Sequence, residues 1–397
     1  MKIAFIAADV HHKKGPASVT ASLIERLCED HQISVFAHTI GGIDVNKIKY
    51  YKVPAIRRRS LLGHLTFLAS STILLAFLSL LKKRDFDIIH SVDYLFYADV
   101  ITSHFCEREG IRLERANIIE IPHGSAWQKL KAIDHKIYRS LQVFLEGREF
   151  GRNISKMRIV VSQRMKDEFV RYYGNASESI IVIPNGVDPE KFTPANRSLY
   201  RDKVRQRHGI ARNDVVLMFA GGDWERKGVP QIIEALPLFV RPEVKLFIVG
   251  RGDEKFYGEL AEQKQVREII TFVSGNANIL EYYSASDVLV FPTMYEPFGL
   301  VIIEAMASGL PVITSRLAGA SDFMNDGVDS LLLNDPSDIN DLAAKIGLLL
   351  SNAELRKTMG EQARKTAENL SWEQVAGATL EVYHNVLKRK RGEQSET

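Results

Sequence analysis

Three observations make this 397-residue chain an α/β protein with two parallel-sheet domains. Short apolar runs alternate with helix-length segments from end to end, the pattern of parallel sheets covered by helices. The length exceeds what one ordinary core holds. A polar stretch after Asn185-Gly186-Val187-Asp188-Pro189, running to about Asn213 without a core pattern, separates two series of runs. The first series predicts strands at residues 3–8, 33–37, 88–90, 100–102, 159–161 and 180–183. The second predicts strands at 215–220, 245–249, 270–273, 288–291 and 312–314. The expected domains are 1–187 and 188–372. A last amphipathic segment and the basic tail Lys388-Arg389-Lys390-Arg391, expected to fray, fill 373–397.

Composition sets the class. Hydrophobic content of 45% and charged content of 25% are those of a soluble globular protein. Cys28 and Cys106 are the only cysteines, with no CxxC pair, which argues for a reducing, cytoplasmic setting against disulfides or structural zinc. Met1-Lys2-Ile3-Ala4-Phe5-Ile6-Ala7-Ala8-Asp9 is interrupted too soon for a signal peptide and reads as a first core strand. The net charge is +3, and residues 1–190 hold 27 Lys and Arg against 21 Asp and Glu. So small an excess, without interleaved aromatics, argues against a nucleic-acid partner and suits an anionic surface or acceptor on the first half.

Residues 60–81 carry no formal charge, are rich in Leu, Phe and Ile, and lie between Arg57-Arg58-Arg59 and Lys82-Lys83-Arg84. Three readings stay open. The segment can span a bilayer by length, pack as a core helix, or also dock on an anionic membrane surface through residues 57–84. Gly63, His64, Thr66 and Ser70 dilute it, and the α/β pattern resumes directly after Arg84.

The chemistry concentrates in Glu296-Pro297-Phe298-Gly299-Leu300-Val301-Ile302-Ile303-Glu304, which follows an apolar strand. Pro297 suits a first helical turn, and Gly309 with Pro311 stops the helix. Glu296 is then expected at the helix mouth with Glu304 about 12 Å further along. The free N–H groups of Gly299, Leu300 and Val301 would form an anion site between them. Apolar neighbours nearly all round predict burial, so Glu304 needs a partner. Two carboxylates flanking a phosphate cradle suit a nucleotide sugar, one on sugar hydroxyls and the other on ribose hydroxyls. Further candidates stand where strands are expected to end, the ligand side of parallel sheets. They are Lys14 and Gly15 after the first strand, and His104 after the strand at 100–102. After the strand at 215–220 comes Gly221-Gly222-Asp223-Trp224-Glu225-Arg226-Lys227-Gly228, where Arg226 and Lys227 offer adjacent cations to a diphosphate. This loop is neither a Walker loop nor a GxGxxG fingerprint.

Glu296 and Glu304 with seven residues between them, Pro184-Asn185-Gly186-Val187-Asp188 with Phe192, and Lys227-Gly228 together resemble the family-4 retaining glycosyltransferases. The resemblance covers essentially the whole chain, most densely from about Val160 onward. It implies the GT-B architecture, two facing Rossmann-like domains with parallel sheets and a C-terminal helix crossing back to the first domain. Within the family, residues 222–229 are most similar to the lipopolysaccharide core glucosyltransferases that extend an inner-core heptose. The implied activity is transfer of a hexose from a nucleotide diphosphate sugar, UDP-sugar foremost, to a cell-envelope glycan such as lipopolysaccharide core or a lipid-linked saccharide. The implied transfer retains configuration without an enzyme nucleophile, metal or cofactor, with the donor phosphate taking the acceptor proton.

By the same resemblance, Glu296 would bond donor-sugar hydroxyls and Glu304 the ribose. Lys227 with Arg226 would neutralise the leaving diphosphate, helped by the amides of Gly299 and Leu300. His104 would lie beside the donor sugar on the opposite domain, Gly15 would line the donor–acceptor cleft, and Val273 and Ser274 would face the base. Three positions depart from the family pattern. Gly15-Pro16 replaces a double glycine, Gly222 replaces an arginine five residues before Lys227, and Ala318-Gly319-Ala320-Ser321-Asp322 replaces a loop ending in Glu. The second departure makes Arg226 the expected phosphate ligand. Alternatives are a GT-B nucleotide-sugar hydrolase or epimerase and a non-catalytic nucleotide-sugar-binding subunit. A metal-dependent single-domain transferase fits poorly, because Asp85-Phe86-Asp87 precedes its strand rather than following it.

Overall fold

A computed structural model describes residues 1–12, 15–56, 60–80, 86–92, 97–115, 126–150, 157–174, 177–239 and 243–392. Lys14 and the basic flanks 57–59 and 81–84 lie outside the described residues. The chain divides into two compact units, Met1–Asn185 with Trp372–Thr397, and Gly186–Ser371.

The first unit is built from β1 (Lys2–Ile6), β2 (Asp9–His11), β3 (Gln32–Ala37), β4 (Thr39–Gly41), β5 (Lys49–Lys52), β6 (Ile88–Ser91), β7 (Val100–Ser103), β8 (Met157–Val160) and β9 (Ile180–Val182). Seven of these form one sheet in the order β5-β3-β1-β6-β7-β8-β9, while β2 and β4 pair separately. The ladders are parallel. The helices are α1 (Gly15–Leu27), α2 (Ser60–Leu80), α3 (Glu107–Arg115), α4 (Ala126–Phe150) and α5 (Gln163–Tyr173). Near-continuous apolar runs such as Ile3–Ile6 are buried because helices cover both faces of a parallel sheet.

The second unit holds β10 (Val215–Ala220), β11 (Val244–Gly250), β12 (Ile270–Ser274), β13 (Val288–Phe291), β14 (Val312–Ser315) and β15 (Ser330–Leu333). They form one parallel sheet, β12-β11-β10-β13-β14-β15. Its helices are α6 (Asn196–Arg207), α7 (Val229–Ala235), α8 (Glu254–Gln263), α9 (Ile279–Ala285), α10 (Leu300–Ala307), α11 (Ile339–Ser351) and α12 (Ala353–Glu368). The polar stretch without a core pattern contains α6. Its arginines hold it: Arg201 and Arg205 each bond a different oxygen of Asp287 at 2.7 Å. The helix docks by ion pairing and carbonyl contacts, a route that hydrophobic periodicity does not display.

One last helix, α13 (Trp372–Lys390), belongs to the first unit. Tyr383 hydroxyl meets His90 Nδ1 at 2.5 Å in the buried interior, and Arg26 bonds Glu373 at 2.6 Å. His90 Nε2 reaches Thr102 at 2.7 Å, and burial, then the nearby His104, pushes its pKa down to about 3. The basic end does not fray: it is helical through Lys390, whose ammonium pairs with Asp99 at 2.9 Å.

Helix α2 has two different faces. Phe67, Leu75 and Leu78 enter the core beside Ile6, Phe36 and Ile101. Leu62, Leu65, Ile73 and Phe77 stay exposed, Ile73 at 69%. The helix is long and apolar enough to cross a membrane, yet its core residues are committed to the sheet. That commitment favours the core-packed readings over the spanning one.

Candidate functional site

In the second sheet the strand order reverses between β10 and β13. The loops leaving the carboxyl ends of those two strands therefore flank the crevice where open α/β sheets bind ligands. One loop is Gly221–Gly228 and the other runs from Pro292 to α10, so the sheet brings Lys227 and Glu296 together.

The first loop depends on glycine at defined places. Gly221 has φ +138°, and a Cβ there would stand 3.3 Å from Lys227 Cδ and Nζ. Gly228 has φ +91°, and its Cβ would come within 2.3 Å of the Pro292 carbonyl oxygen. At Gly228 the backbone approach, at positive φ, leaves no room for a side chain, while at Gly221 the positive φ is the constraint. Trp224 anchors the loop by donating to the Gly221 carbonyl at 3.0 Å and stacking on Phe272.

The second loop is tied to residues further along the chain. Glu296 N–H donates to Leu317 O at 3.1 Å, Gly319 N–H to Glu296 O at 2.9 Å, and Ala320 N–H to Phe298 O at 2.8 Å. Glu296 thus stands in an extended segment before the helix. Helix α10 starts at Leu300 with Gly299 in the left-handed conformation as its N-cap. Pro297, expected in the first helical turn, precedes the helix: the chain is bonded to Leu317 and Gly319 there and turns into α10 only at Gly299. The helix is short, and Ile302, Ile303, Ala305, Met306 and Ala307 are buried, the two isoleucines and the methionine contributing roughly 1.5–3 kcal/mol each. Gly299, Leu300 and Val301 open the helix, where backbone amides have no intrahelical acceptor.

Lys227 Nζ lies 3.2 Å from Glu296 Oε2 and 5.5 Å from the centre of the Phe291 ring. Glu296 Oε2 is buried and accepts no well-formed hydrogen bond among the described residues. Its partner is the Lys227 ammonium, an ion pair without hydrogen-bond alignment, and buried acceptors left in that state are rare in folded proteins. Arg226 is less free than expected. Its Nε bonds Asp223 at 2.5 Å, its Nη1 donates to the Tyr295 carbonyl, and Glu296 stands 3.6 Å away. The guanidinium ties the two loops together, so Lys227 is the cation with fewer protein bonds.

Glu304, five residues into α10, accepts from Tyr283 at 2.9 Å, and the same hydroxyl reaches Val301 O at 3.2 Å. Burial pushes the Glu304 pKa up to about 7 against the opposing pull of the Tyr283 bond and the Lys191 charge. Some of its surface remains accessible. Val273 is buried at the end of β12, and Ser274, one residue on, is exposed and accepts from Asn276 N–H at 3.3 Å.

In the first unit, His104 follows β7 and borders a cavity of about 420 Å³. Asp9, Ser103, Glu107 and Gln142 also line it. His104 Nε2 and Ser103 Oγ are buried without a hydrogen-bond partner among the described residues. Burial pushes the His104 pKa down to about 4, so the imidazole is neutral at pH 7. Gly15 opens α1 with φ +56°, exposed, and with no atom near the Cβ it lacks. Sequence reasoning missed Tyr283, Asp223, Ser103 and Gln142. Tyr283 reaches Glu304 from another helix, Asp223 meets Arg226 three residues on, and Ser103 and Gln142 line the first unit's cavity; no motif marks any of them.

Two Rossmann-like parallel sheets, one carrying this crevice, define the GT-B class. The chain belongs to the glycosyltransferases of that class: residues 14–191 match Glycosyltransferase Family 4, and residues 200–366 match Glycosyl transferases group 1. It is 28% identical to "Uncharacterized glycosyltransferase MJ1607" of Methanocaldococcus jannaschii, over 86% of this chain and 85% of that protein. It is 29% identical to "Lipopolysaccharide glucosyltransferase WaaG" of Escherichia coli, over 58% of this chain and only 62% of the relative. A solved structure of WaaG, described as involved in lipopolysaccharide biosynthesis, superposes with a TM-score of 0.75 at 21% identity. It covers 96% of this chain and 99% of its own. Anabaena HepE, solved in complex with UDP-glucose, gives 0.68 at 22% identity over 96% and 100%.

Proposed function

We propose that this chain is a retaining hexosyltransferase that moves a sugar from a nucleotide diphosphate donor, a UDP-sugar, to a cell-envelope glycan such as lipopolysaccharide core or a lipid-linked saccharide. The observation that carries this reading is the meeting of Lys227 with the buried Glu296 carboxylate at the sheet's switch point, beside the opening amides of α10. The similarity to a lipopolysaccharide glucosyltransferase supports the acceptor class.

In this reading, the donor diphosphate lies against the amides of Gly299, Leu300 and Val301. Lys227 stabilises the negative charge that grows on it as the glycosidic bond breaks, the kind of fixed positive potential that contributes most to such steps. Binding a diphosphate draws Lys227 from Glu296 and frees that carboxylate for sugar hydroxyls. Arg226 positions both loops. Glu304 accepts from the ribose, and Ser274 borders the base. Neutral His104 and Gly15 serve the sugar and acceptor side. No metal or cofactor is assigned a role. The exposed face of α2, with Ile133, Ile137 and Phe144 of α4 also exposed, docks the enzyme peripherally on the anionic inner face of the cytoplasmic membrane.

The test is a transfer assay with nucleotide sugars and core-oligosaccharide or lipid-linked acceptors. Lys227→Ala and Glu296→Ala are expected to lose at least about 100-fold in turnover with unchanged circular dichroism. Near-wild-type turnover of either variant refutes the site, and release of free sugar in place of a glycoside refutes the transferase reading.

A further inference from the structure

The second unit has another cleft, of about 660 Å³, at the opposite end of its strands. Asp287 directly precedes β13 and Pro311 directly precedes β14, and both line it. All six strands of the sheet are parallel, so this edge lies away from the loops that carry Lys227 and Glu296. The first turn of α6 and one side of α12 complete the walls. Packing there is close: a Cβ on Gly360 of α12 would stand 2.4 Å from the Gly309 carbonyl oxygen.

The lining carries surplus positive charge. Asp287 is fully engaged, with one oxygen on Arg201, the other on Arg205, and a bond from Val216 N–H at 2.8 Å. Glu368 accepts from Arg364 at 2.7 Å. Arg197, Arg356, Lys357 and Lys365 have no carboxylate partner among the described residues, and Glu361 is the one lining carboxylate without a cation. Two of these cations are held in place by backbone. Arg197 donates to Ser286 O at 3.0 Å, and Arg356 Nη1 donates to the carbonyls of Leu349 and Leu350 at the end of α11. Each guanidinium keeps unused N–H donors in a fixed fork, the arrangement that recognises phosphate. Burial, then the neighbouring Arg201, lowers the Arg197 pKa against the opposing pull of Asp287.

We propose that this cleft binds a small phosphomonoester, with Arg197 and Arg356 as fixed donors and Lys357 and Lys365 as mobile ones. The volume exceeds what a bare phosphate fills and lies in the range of small-molecule sites, so the ester carries a group of monosaccharide size. The site stands independently of the donor reading, because it shares none of the residues assigned to the donor.

Calorimetric titration of the full chain with glucose 6-phosphate tests it, alongside sedimentation with vesicles containing phosphatidic acid, whose headgroup presents the same monoester. The expected result is saturable binding of glucose 6-phosphate that weakens at least tenfold in the double variant Lys357→Glu/Lys365→Glu and persists in Lys227→Ala. Arg197→Gln gives the same loss if the double variant folds poorly. Vesicle binding lost in the lysine variant and retained when the α2 face is altered assigns the site to a lipid headgroup. No binding to either probe, or binding lost only in Lys227→Ala, overturns the proposal.

Discussion

Glu304 owes its position to a tyrosine that no local motif points to. A carboxylate in the apolar helix α10 needed a partner on physical grounds, and Tyr283 on α9 is that partner. What stayed illegible was its identity, because the bond joins two helices across a strand. The sign of the pH effect follows. The folded pKa, about 7, lies above the ordinary glutamate value of 4.5, so the native state holds its proton more tightly than the unfolded chain. Its stabilising contribution is complete below about pH 4.5 and is lost as pH rises through 7. Glu304→Gln should therefore gain thermal stability relative to wild type between pH 5 and pH 8, by about 2 °C or more. Melting curves at both pH values check this, and a constant difference contradicts the buried, protonated state. Glycine offers a sharper residue contrast. Gly228→Ala meets both a positive φ and the Pro292 carbonyl and should lose more than about 2 kcal/mol in denaturant titration. Gly15→Ala, with open space around it, should lose only about 1 kcal/mol.

Elements were most legible where burial alone decides them. The strands at residues 215–220 and 288–291 begin and end where their apolar runs do, because a central parallel strand is covered on both faces. The edge strands β9 and β12 were legible, but others escaped notice: β5 reads Lys-Tyr-Tyr-Lys, β15 is a four-residue strand at the sheet margin, and β2 with β4 form a separate short pair. β2, β4 and β5 lack the continuous run because one side is only partly covered, whereas β15 is buried throughout but too short to stand out. Helix α6 escaped for a different reason, since arginine pairing with Asp287 holds it. At this scale the clearest test concerns α2. Ile73 and Phe77 are more than half exposed, so Ile73→Asp with Phe77→Asp should leave folding intact. The pair should reduce sedimentation with anionic vesicles at least fivefold, about 1 kcal/mol. Unchanged sedimentation would remove α2 from any membrane role. Helix α13 is tested through its buried anchor: Tyr383→Phe strands His90 Nδ1 and should lower stability by about 1–3 kcal/mol.

For the molecule as a whole, two parallel sheets follow from alternation and length, and the positions of Glu296 and Lys227 after apolar strands mark both as ligand-side residues. Neither the Arg226 tether nor the pairing of Lys227 with Glu296 was legible, because both depend on how two distant loops fold against each other. The central claim is that this pair, with the opening turn of α10, holds a diphosphate. Calorimetric titration of UDP into the wild-type chain and Lys227→Ala tests it most directly. Saturable binding to wild type is expected, with affinity at least tenfold weaker, about 1.4 kcal/mol, in a variant with an unchanged melting temperature. Equal UDP affinity in the two proteins would contradict it.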